Sequence, residues 1–354
     1  MSPSSRIPPL LQPCIRLPKD KSILLVTSTL GASANWLIIR FICDALSSTA
    51  KDGGLSDEIN TLGEGGVNII LVSWMQEWEF WKQEARKGGG LDLDRAKREG
   101  RMAFVDGLRA LFLPDGGEKN ENIPVTKTTQ TPPVRTLPGG IPARGPAAVP
   151  ARTTPSASTI PARNLPEQTS ASTKQGHYTL CSPDLAHLKS TIQTAVAHLT
   201  PTSTSTTTTK TLLILDTPSI LLATTPTISP SSLTSLVLTL HTTLPHILVH
   251  SHADDPLLSL STPPQPLELA HHNFVVKVAH MSRRVLSVRV LDTGVARDVS
   301  GVLRVTENKV GLGDLRVKGK EEEEDDGNGG REVLYYVKGD GSVRVFERGG
   351  GGDG

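Results

Sequence analysis

Short apolar runs alternate with amphipathic segments along the first part of the chain. Residues 22–28 (SILLVTS) and 67–73 (VNIILVS) are apolar and rich in β-branched side chains, a pattern typical of strands buried on both faces. Between them, apolar residues recur at helical spacing after Ser33, which is a suitable N-cap. A further helix is predicted at 92–98 and a third strand at 102–105. This alternation predicts a parallel sheet with right-handed crossovers.

The α/β pattern resumes after residue 182 and changes towards the C-terminus. We predict helices at 183–199 and 231–241, and strands at 211–215 and 246–251. Three later segments are predicted as β structure: 273–280, 285–291 and 302–306. The last two predicted strands, 334–337 and 342–346, flank Gly339-Asp340-Gly341, which is a strong hairpin signal.

The composition divides the chain into one domain and several segments outside it. Residues 114–176 are rich in Pro, Thr, Ser and Gly and have few large apolar side chains, so they are predicted to be a disordered insertion. A single domain is expected over 21–348, with an acidic loop at 319–331. Residues 1–20 are predicted to be a flexible tail, and 349–354 a glycine-rich tail.

Composition and charge exclude several classes of protein. The chain has 354 residues, and its formal net charge of +1 argues against a dedicated nucleic-acid coat protein. The three cysteines are far apart, so no disulfide framework is expected and a reducing compartment is indicated. Prolines interrupt the N-terminus where a signal peptide needs an apolar run, and no apolar segment is long enough to span a membrane. We expect a protein of the cytoplasm and nucleus.

The segment after the first predicted strand lies where a phosphate-binding loop would be. A working loop, GxxxxGK[ST], uses backbone N–H groups, a lysine and a hydroxyl to hold phosphates and Mg²⁺. Here residues 27–35 read TSTLGASAN, with one glycine and no lysine or arginine. The charge that stabilises phosphoryl transfer is therefore missing. We interpret the position as a vestigial nucleotide site, marked by Thr29, Gly31, Ser33 and Asn35.

Two acidic residues end predicted strands. Asp216 follows LLIL, as the acid of a Walker B strand does, and Asp106 ends another strand. Because open α/β sheets bind ligands at strand carboxyl ends, the two could flank a crevice. An acid at a strand end is also common in turns and caps. Without the lysine, the structural or vestigial interpretation is favoured for both.

The histidines and serines give weaker indications. His246, His250, His252 and the His271-His272 pair cluster around a strand end, but no matching cysteine, nor a glutamate at helical ligand spacing, accompanies them. We therefore favour strand-end histidines in a polar loop over a metal site. A Ser/His/Asp triad can always be assembled from a serine-rich chain, and no GxSxG motif supports one here.

Tryptophans and arginines leave two further alternatives open. Trp74, Trp78 and Trp81 are predicted on one helical stripe, where core packing is favoured over the alternative of a subunit interface. Basic residues concentrate in the C-terminal third. They are expected either on a solvated sheet face or in contact with a nucleic-acid backbone.

Four sequence blocks, taken in their order, resemble the Elongator complex protein 6 family. They are ILLVTSTLGASANWLIIRF, ILVSWMQEWEFWKQEARKGGGLDLDRAKREGRMAFVDGL, TGVARDVSGVLRVT and YYVKGDGSVRVFERG. The resemblance spans most of 21–113 and 270–348, is weaker across 183–252 and leaves out the insertion. Each block alone is unspecific, whereas the combination is specific.

The resemblance implies a RecA-like fold that has lost its Walker motifs. It implies a non-catalytic subunit, without a cofactor, that joins Elongator proteins 4 and 5 in a hetero-hexameric ring. That ring serves the catalytic Elongator subcomplex, which modifies wobble uridines in tRNA. Basic loops of such a ring, carrying Arg283, Arg284 and Arg297, would touch RNA. Two alternatives remain: an NTPase acting alone with an atypical phosphate loop, and a stand-alone RNA-binding module.

Overall fold

A ten-stranded sheet forms the centre of the computed structural model. The structure describes residues 7–47, 67–112, 175–199, 210–259, 262–263, 265–294, 296–308 and 330–347. The strands are β1 (Ser22–Ser28), β2 (Val67–Ser73), β3 (Met102–Asp106), β4 (His177–Thr179), β5 (Lys210–Asp216), β6 (His246–His252), β7 (Arg284–Arg289), β8 (Gly301–Glu307), β9 (Arg331–Val337) and β10 (Val343–Glu347). Their order across the sheet is β10-β9-β8-β7-β1-β6-β5-β2-β3-β4.

The sheet is parallel from β4 to β7 and antiparallel beyond it. Each neighbouring pair among β4, β3, β2, β5, β6, β1 and β7 is parallel. Strands β7 to β10 pair antiparallel, the last two as the predicted hairpin. The prediction of a mostly parallel sheet with C-terminal β segments is confirmed.

Helices cover both faces of the sheet. The helices are α1 (Gln12–Ile15), α2 (Asn35–Ser47), α3 (Trp78–Glu84), α4 (Leu93–Arg98), α5 (Arg109–Phe112), α6 (Leu185–Leu199), α7 (Ile220–Thr224), α8 (Pro230–Thr243), α9 (Asp255–Leu258) and α10 (Pro266–Met281), with a π-helical turn at Ala85–Gly89. One apolar cluster joins the sheet to α1, α2, α3 and α4. The other joins it to α6, α7, α8 and α10. Within the described ranges, no helix is long and apolar enough to cross a membrane.

The parallel strands are apolar on both sides because both faces are covered. In β1, Leu24 and Val26 belong to one cluster, whereas Ile23 and Leu25 belong to the other. Strand side chains alternate between faces, so a strand between two helix layers must be apolar at every position. This is the physical basis of the continuous apolar runs from which the strands were predicted.

The structure differs from the sequence predictions in three segments. Residues 273–280, predicted as β structure, belong to helix α10. The predicted flexible tail at 1–20 is described from residue 7 onward, and there Leu11 and Ile15 are fully buried against the sheet. Strand β4 was not predicted. Its three residues, His177–Thr179, are too few for a periodic pattern to show.

Most of the predicted insertion and tails lie outside the described residues. This holds for 114–174, for 319–329 and for 349–354. Arg331, predicted at the end of the acidic loop, is instead the first residue of β9.

Candidate functional site

The end of the sheet at which the parallel strands finish, called here the carboxyl edge, collects polar side chains. Ser28 ends β1, Ser73 ends β2, Asp106 ends β3 and Asp216 ends β5. The strand register sets Asp216 beside Ser73 on one side and beside His250 of β6 on the other. All of these side chains are buried.

A hydrogen-bond chain links three of these strands. Nδ1 of His250 lies 2.7 Å from Oδ1 of Asp216, and its Nε2 lies 2.9 Å from the Ser28 hydroxyl. Because a carboxylate only accepts, the proton at the first contact belongs to Nδ1. In the neutral ring, Nε2 then accepts the hydrogen of Ser28. We call these residues, together with Ser73, the buried network.

Both carboxylate oxygens of Asp216 are engaged in this network. Oδ2 accepts the hydroxyl of Ser73 at 2.7 Å, and Oδ1 accepts the Thr217 hydroxyl at 3.3 Å in addition to His250. Asp216 is 1% exposed. Such bonds stabilise the buried charge, which would otherwise be costly to desolvate. The acid in the Walker B position therefore serves as an internal acceptor.

The backbone next to Asp216 is strained. Thr217 has φ = 60°, a left-handed conformation that residues other than glycine rarely adopt. Its N–H donates to the carbonyl of His250 at 3.0 Å, and this hydrogen bond attaches Thr217 to strand β6. Strained positions of this kind concentrate at functional sites.

Two more histidines adjoin the network. Nδ1 of His252 lies 3.4 Å from the Ser28 hydroxyl, and Nε2 of His271 donates to the carbonyl of His252 at 2.8 Å. Burial lowers the pKa of both His252 and His271, because desolvation disfavours the imidazolium form. In the part of the chain that the structure describes, no group of three His, Cys, Asp or Glu side chains is arranged to hold a metal ion.

The network has the connectivity of a hydrolytic triad but not its accessibility. Aspartate, histidine and serine follow one another as in such a triad. Ser28 is 2% exposed and His250 4%, so a substrate does not reach the hydroxyl in this conformation. The arrangement is best explained as a structural network that ties β1, β6, β5 and β2 together at the carboxyl edge.

The predicted vestigial site forms a tight turn. The N–H of Thr29 donates to Val288 in β7, and the N–H of Ala32 donates back to the carbonyl of Thr29. Gly31 has φ = 85°, a conformation that favours glycine. The Ser33 hydroxyl accepts the N–H of Asn35, the first residue of α2, whereas the first helical carbonyl is that of Ala34, so the predicted cap, Ser33, lies one residue before the observed cap position.

The two predicted acids lie on either side of β2 at the carboxyl edge. Strand β2 lies between β3 and β5, so Asp106 and Asp216 are separated by a strand, roughly 10 Å across the sheet. Oδ1 of Asp106 accepts the N–H groups of Leu108 and Arg109 at 2.9 and 3.0 Å and caps α5. The turn-and-cap interpretation therefore holds for Asp106.

The three tryptophans are core residues and do not lie on one stripe. Helix α3 begins at Trp78, so Trp74 precedes it and packs in the cluster on the other face of the sheet. Trp74, Trp78 and Trp81 are 0, 8 and 0% exposed. This burial agrees with the favoured interpretation of core packing, and the alternative of a subunit interface stays a prediction.

The predicted RNA-contacting arginines lie at opposite ends of β7. Arg283 and Arg284 are at its start, and Arg297 follows its end, with the strand spanning roughly 17 Å. Arg283 and Arg297 are exposed. Arg284 instead binds within the chain: Nη1 donates to the carbonyls of Cys14 and Arg16, and Nε and Nη2 donate to Glu307. The three do not form one basic surface.

The buried network was not found from the sequence. The sequence does place Ser28, Asp216 and His250 in or at the ends of predicted strands. That placement is the one feature of the sequence that could have indicated the network. Recognising it required the strand order, because only the placement of β6 between β1 and β5 brings the three together.

Comparisons with known proteins return a structural similarity only. No family model matches the chain. No curated protein sequence matches it. Solved structures that match include a KaiC-like protein from the hyperthermophilic archaeon Pyrococcus horikoshii OT3, at 9% identity and a TM-score of 0.43, covering 92% of this chain and 90% of that one. The fold class, a mostly parallel sheet between two helix layers, rests on the strand order and on the two apolar clusters.

Proposed function

We propose that this chain is a non-catalytic, RecA-like subunit of the Elongator accessory ring. It would join Elongator proteins 4 and 5 in a hetero-hexamer and support tRNA binding and wobble-uridine modification by the catalytic subcomplex. We expect a subunit with this role to be located in the cytoplasm and nucleus. The four sequence blocks support the assignment to Elongator. The burial and hydrogen bonding of Asp216 at the carboxyl edge support the assignment as a non-catalytic subunit.

The observation that carries the non-catalytic part is the engagement of Asp216. An acid that binds Mg²⁺ through water must be accessible to that water. Here Asp216 is 1% exposed, and its two oxygens accept hydrogen bonds from Ser73 and His250 at 2.7 Å each. The loop that would hold phosphates, TSTLGASAN, also has no lysine or arginine. Both observations support a subunit that does not transfer phosphoryl groups.

The alternative of an NTPase acting alone needs the network to open. Nucleotide would have to displace His250 from Asp216 and bring in a cation for the phosphates from elsewhere. Opening would remove the Asp216 acceptor from the buried Nδ1–H of His250, at a cost of about 1–3 kcal/mol. Purified chain is expected to show no ATP hydrolysis above the level of the Asp216→Ala variant.

Support for RNA binding is expected to come from the assembly. Arg283 and Arg297 lie at opposite ends of β7, so one chain does not concentrate them on a phosphate backbone. Weak sites repeated around a ring can act together through effective concentration. The stand-alone RNA-binding alternative instead predicts salt-sensitive tRNA binding by the isolated chain.

The test is co-expression with Elongator proteins 4 and 5, followed by native mass measurement. A complex with two copies of each chain is expected. Titration with labelled tRNA should then show tighter binding to the complex than to this chain alone. If the other two associate without this chain, the Elongator assignment is wrong. ATP hydrolysis by the isolated chain that Asp216→Ala abolishes would overturn the non-catalytic assignment.

A further inference from the structure

A groove opens beside the N-terminal segment, at the end of the sheet where β1 and β7 begin. It has a volume of about 680 Å³ and is lined by Gln12, Leu17, three prolines and three cations, which are Arg16, Lys19 and Arg284. Among the described residues that line it, none is a carboxylate. We call it the basic groove.

The accessible charge of the basic groove comes from two of its cations. Arg16 and Lys19, between α1 and β1, are exposed. Arg284, the first residue of β7, is engaged within the chain: Nη1 donates to the carbonyls of Cys14 and Arg16 at 2.8 and 3.1 Å, and Nη2 lies 2.6 Å from Glu307. A single exposed ion pair stabilises little, so an occupant needs several negative charges in a row.

The sequence that connects β8 to β9 begins and ends close to this groove. Glu307, the last residue of β8, lies opposite Arg284 in the strand register, and Arg331, the first residue of β9, lies opposite Val305. Burial raises the pKa of the Cys14 thiol on α1, and the charges of Arg331 and Arg284 act against this rise. Both arginines therefore lie near the helix that borders the groove.

This connecting sequence contains six consecutive carboxylates. Residues 321–326 read EEEEDD and are called here the acidic segment. Asp326 precedes Arg331 by five residues, which can span up to roughly 17 Å. Glu321 follows Asn308 by thirteen residues, which can span up to roughly 43 Å. The acidic segment can therefore reach the groove while β8 and β9 stay paired.

We propose that the acidic segment occupies the basic groove of its own chain, with its carboxylates against Arg16 and Lys19. Like charges in a row repel one another, and cations at the groove reduce this repulsion. Because the occupant is tethered at both ends beside the groove, its effective concentration there is high and weak ion pairs suffice. The inference is independent of the Elongator assignment, since it concerns contacts within one chain.

Carbodiimide cross-linking tests the contact directly, because the reagent joins an amine only to a carboxylate that touches it. In the full-length chain, mass spectrometry should find Lys19 joined to residues 321–326. Lys189 is the control: it lies on α6, in the helix layer on the other face of the sheet from α1, and should not be joined to them. Absence of the Lys19 cross-link would overturn the inference.

A variant and a salt series test the electrostatic basis of the contact. Arg16→Gln keeps the reactive amine of Lys19 but removes a neighbouring charge, so the yield of the cross-link should fall about two-fold. High salt should lower the wild-type yield as well. A yield that changes with neither would overturn the inference.

Two further outcomes identify a different occupant. In a mixture of isotopically labelled and unlabelled chains, the cross-link is expected within one copy. Cross-links between copies would assign the groove to a second copy of this chain and overturn the inference. It would also be overturned if the acidic segment were joined only to lysines of its own connecting sequence, which are Lys309, Lys318 and Lys320.

Discussion

Asp216 and His250, opposite one another on β5 and β6, are joined by a 2.7 Å hydrogen bond in a part of the sheet that solvent does not reach. The same imidazole binds Ser28 of β1, and the same carboxylate binds Ser73 of β2. One aspartate and one histidine therefore connect four strands at the carboxyl edge of the sheet. The network is therefore expected to stabilise the folded chain at this edge.

Removing the carboxylate should destabilise the fold. In Asp216→Ala, the Ser73 hydroxyl and the His250 N–H each lose a buried acceptor, so the free energy of unfolding should fall by about 2–4 kcal/mol. Urea denaturation measures it. Asp255→Ala, which changes an exposed aspartate, should alter stability by no more than about 0.5 kcal/mol. Equal effects of the two variants would contradict the role given to the network.

Comparing alanine substitutions at Gly31 and Gly294 distinguishes the cost of backbone strain from the cost of steric contact. Gly31 and Gly294 both have positive φ, 85° and 94°, but an added Cβ meets Val290 at 3.3 Å only at Gly31. Gly294→Ala should therefore cost about 1 kcal/mol from backbone strain alone. Gly31→Ala should cost more, and thermal denaturation would rank them. The reverse ranking would show that Val290 moves aside freely.

Arg284 is expected to stabilise the fold by holding the N-terminal segment against β7. Its guanidinium binds the carbonyls of Cys14 and Arg16 as well as Glu307, and lysine does not reproduce this fork. Arg284→Lys should speed hydrogen exchange in residues 11–17 and lower stability by about 1–2 kcal/mol. Arg283→Lys, at an exposed neighbour, is the matched control. Unchanged exchange in Arg284→Lys would leave the N-terminal segment held by apolar packing alone.

His246 should make stability depend on pH. Burial lowers the pKa of this histidine to about 4, from an ordinary value of 6.5. Between these values the unfolded chain binds more protons than the folded one, so stability is complete above about pH 6.5 and falls as pH drops towards 4. The contribution is about 2 kcal/mol after allowance for solvent screening.

The measurement is urea denaturation of wild type and His246→Gln at pH 7 and pH 5. Wild type should lose more stability between the two pH values than the variant does. His280→Gln, at an exposed position of α10, should keep the wild-type dependence. A pH dependence equal in wild type and His246→Gln would assign the effect to other groups.

Local patterns predicted most of the sheet. The strands at 22–28 and 67–73 have the predicted bounds, because a strand covered on both faces leaves an uninterrupted apolar run. The assignment failed where this signal was ambiguous. In α10, the sequence FVVKV is rich in β-branched residues, but the helix begins at Pro266, well before that segment. The local run of β-branched residues obscured the helical spacing of the apolar residues in this segment.

The site was less predictable than the fold because it depends on which strands are neighbours. The empty phosphate loop could be recognised from nine consecutive residues. The link from Asp216 to His250 joins positions 34 residues apart, and that from His250 to Ser28 joins positions 222 apart. No local pattern records such pairings. The tryptophans show the same limit, since Trp74 and Trp78 lie close in sequence but on opposite faces of the sheet.

The position of β4 has a practical consequence for engineering this chain. Helix α5 ends at Phe112 and β4 begins at His177 as the outermost strand beside β3. The sequence between these two points connects β3 to the outermost strand, so it does not link any of the other strands to one another. A fluorescent reporter could replace part of it as an internal fusion. Both termini would then remain untouched.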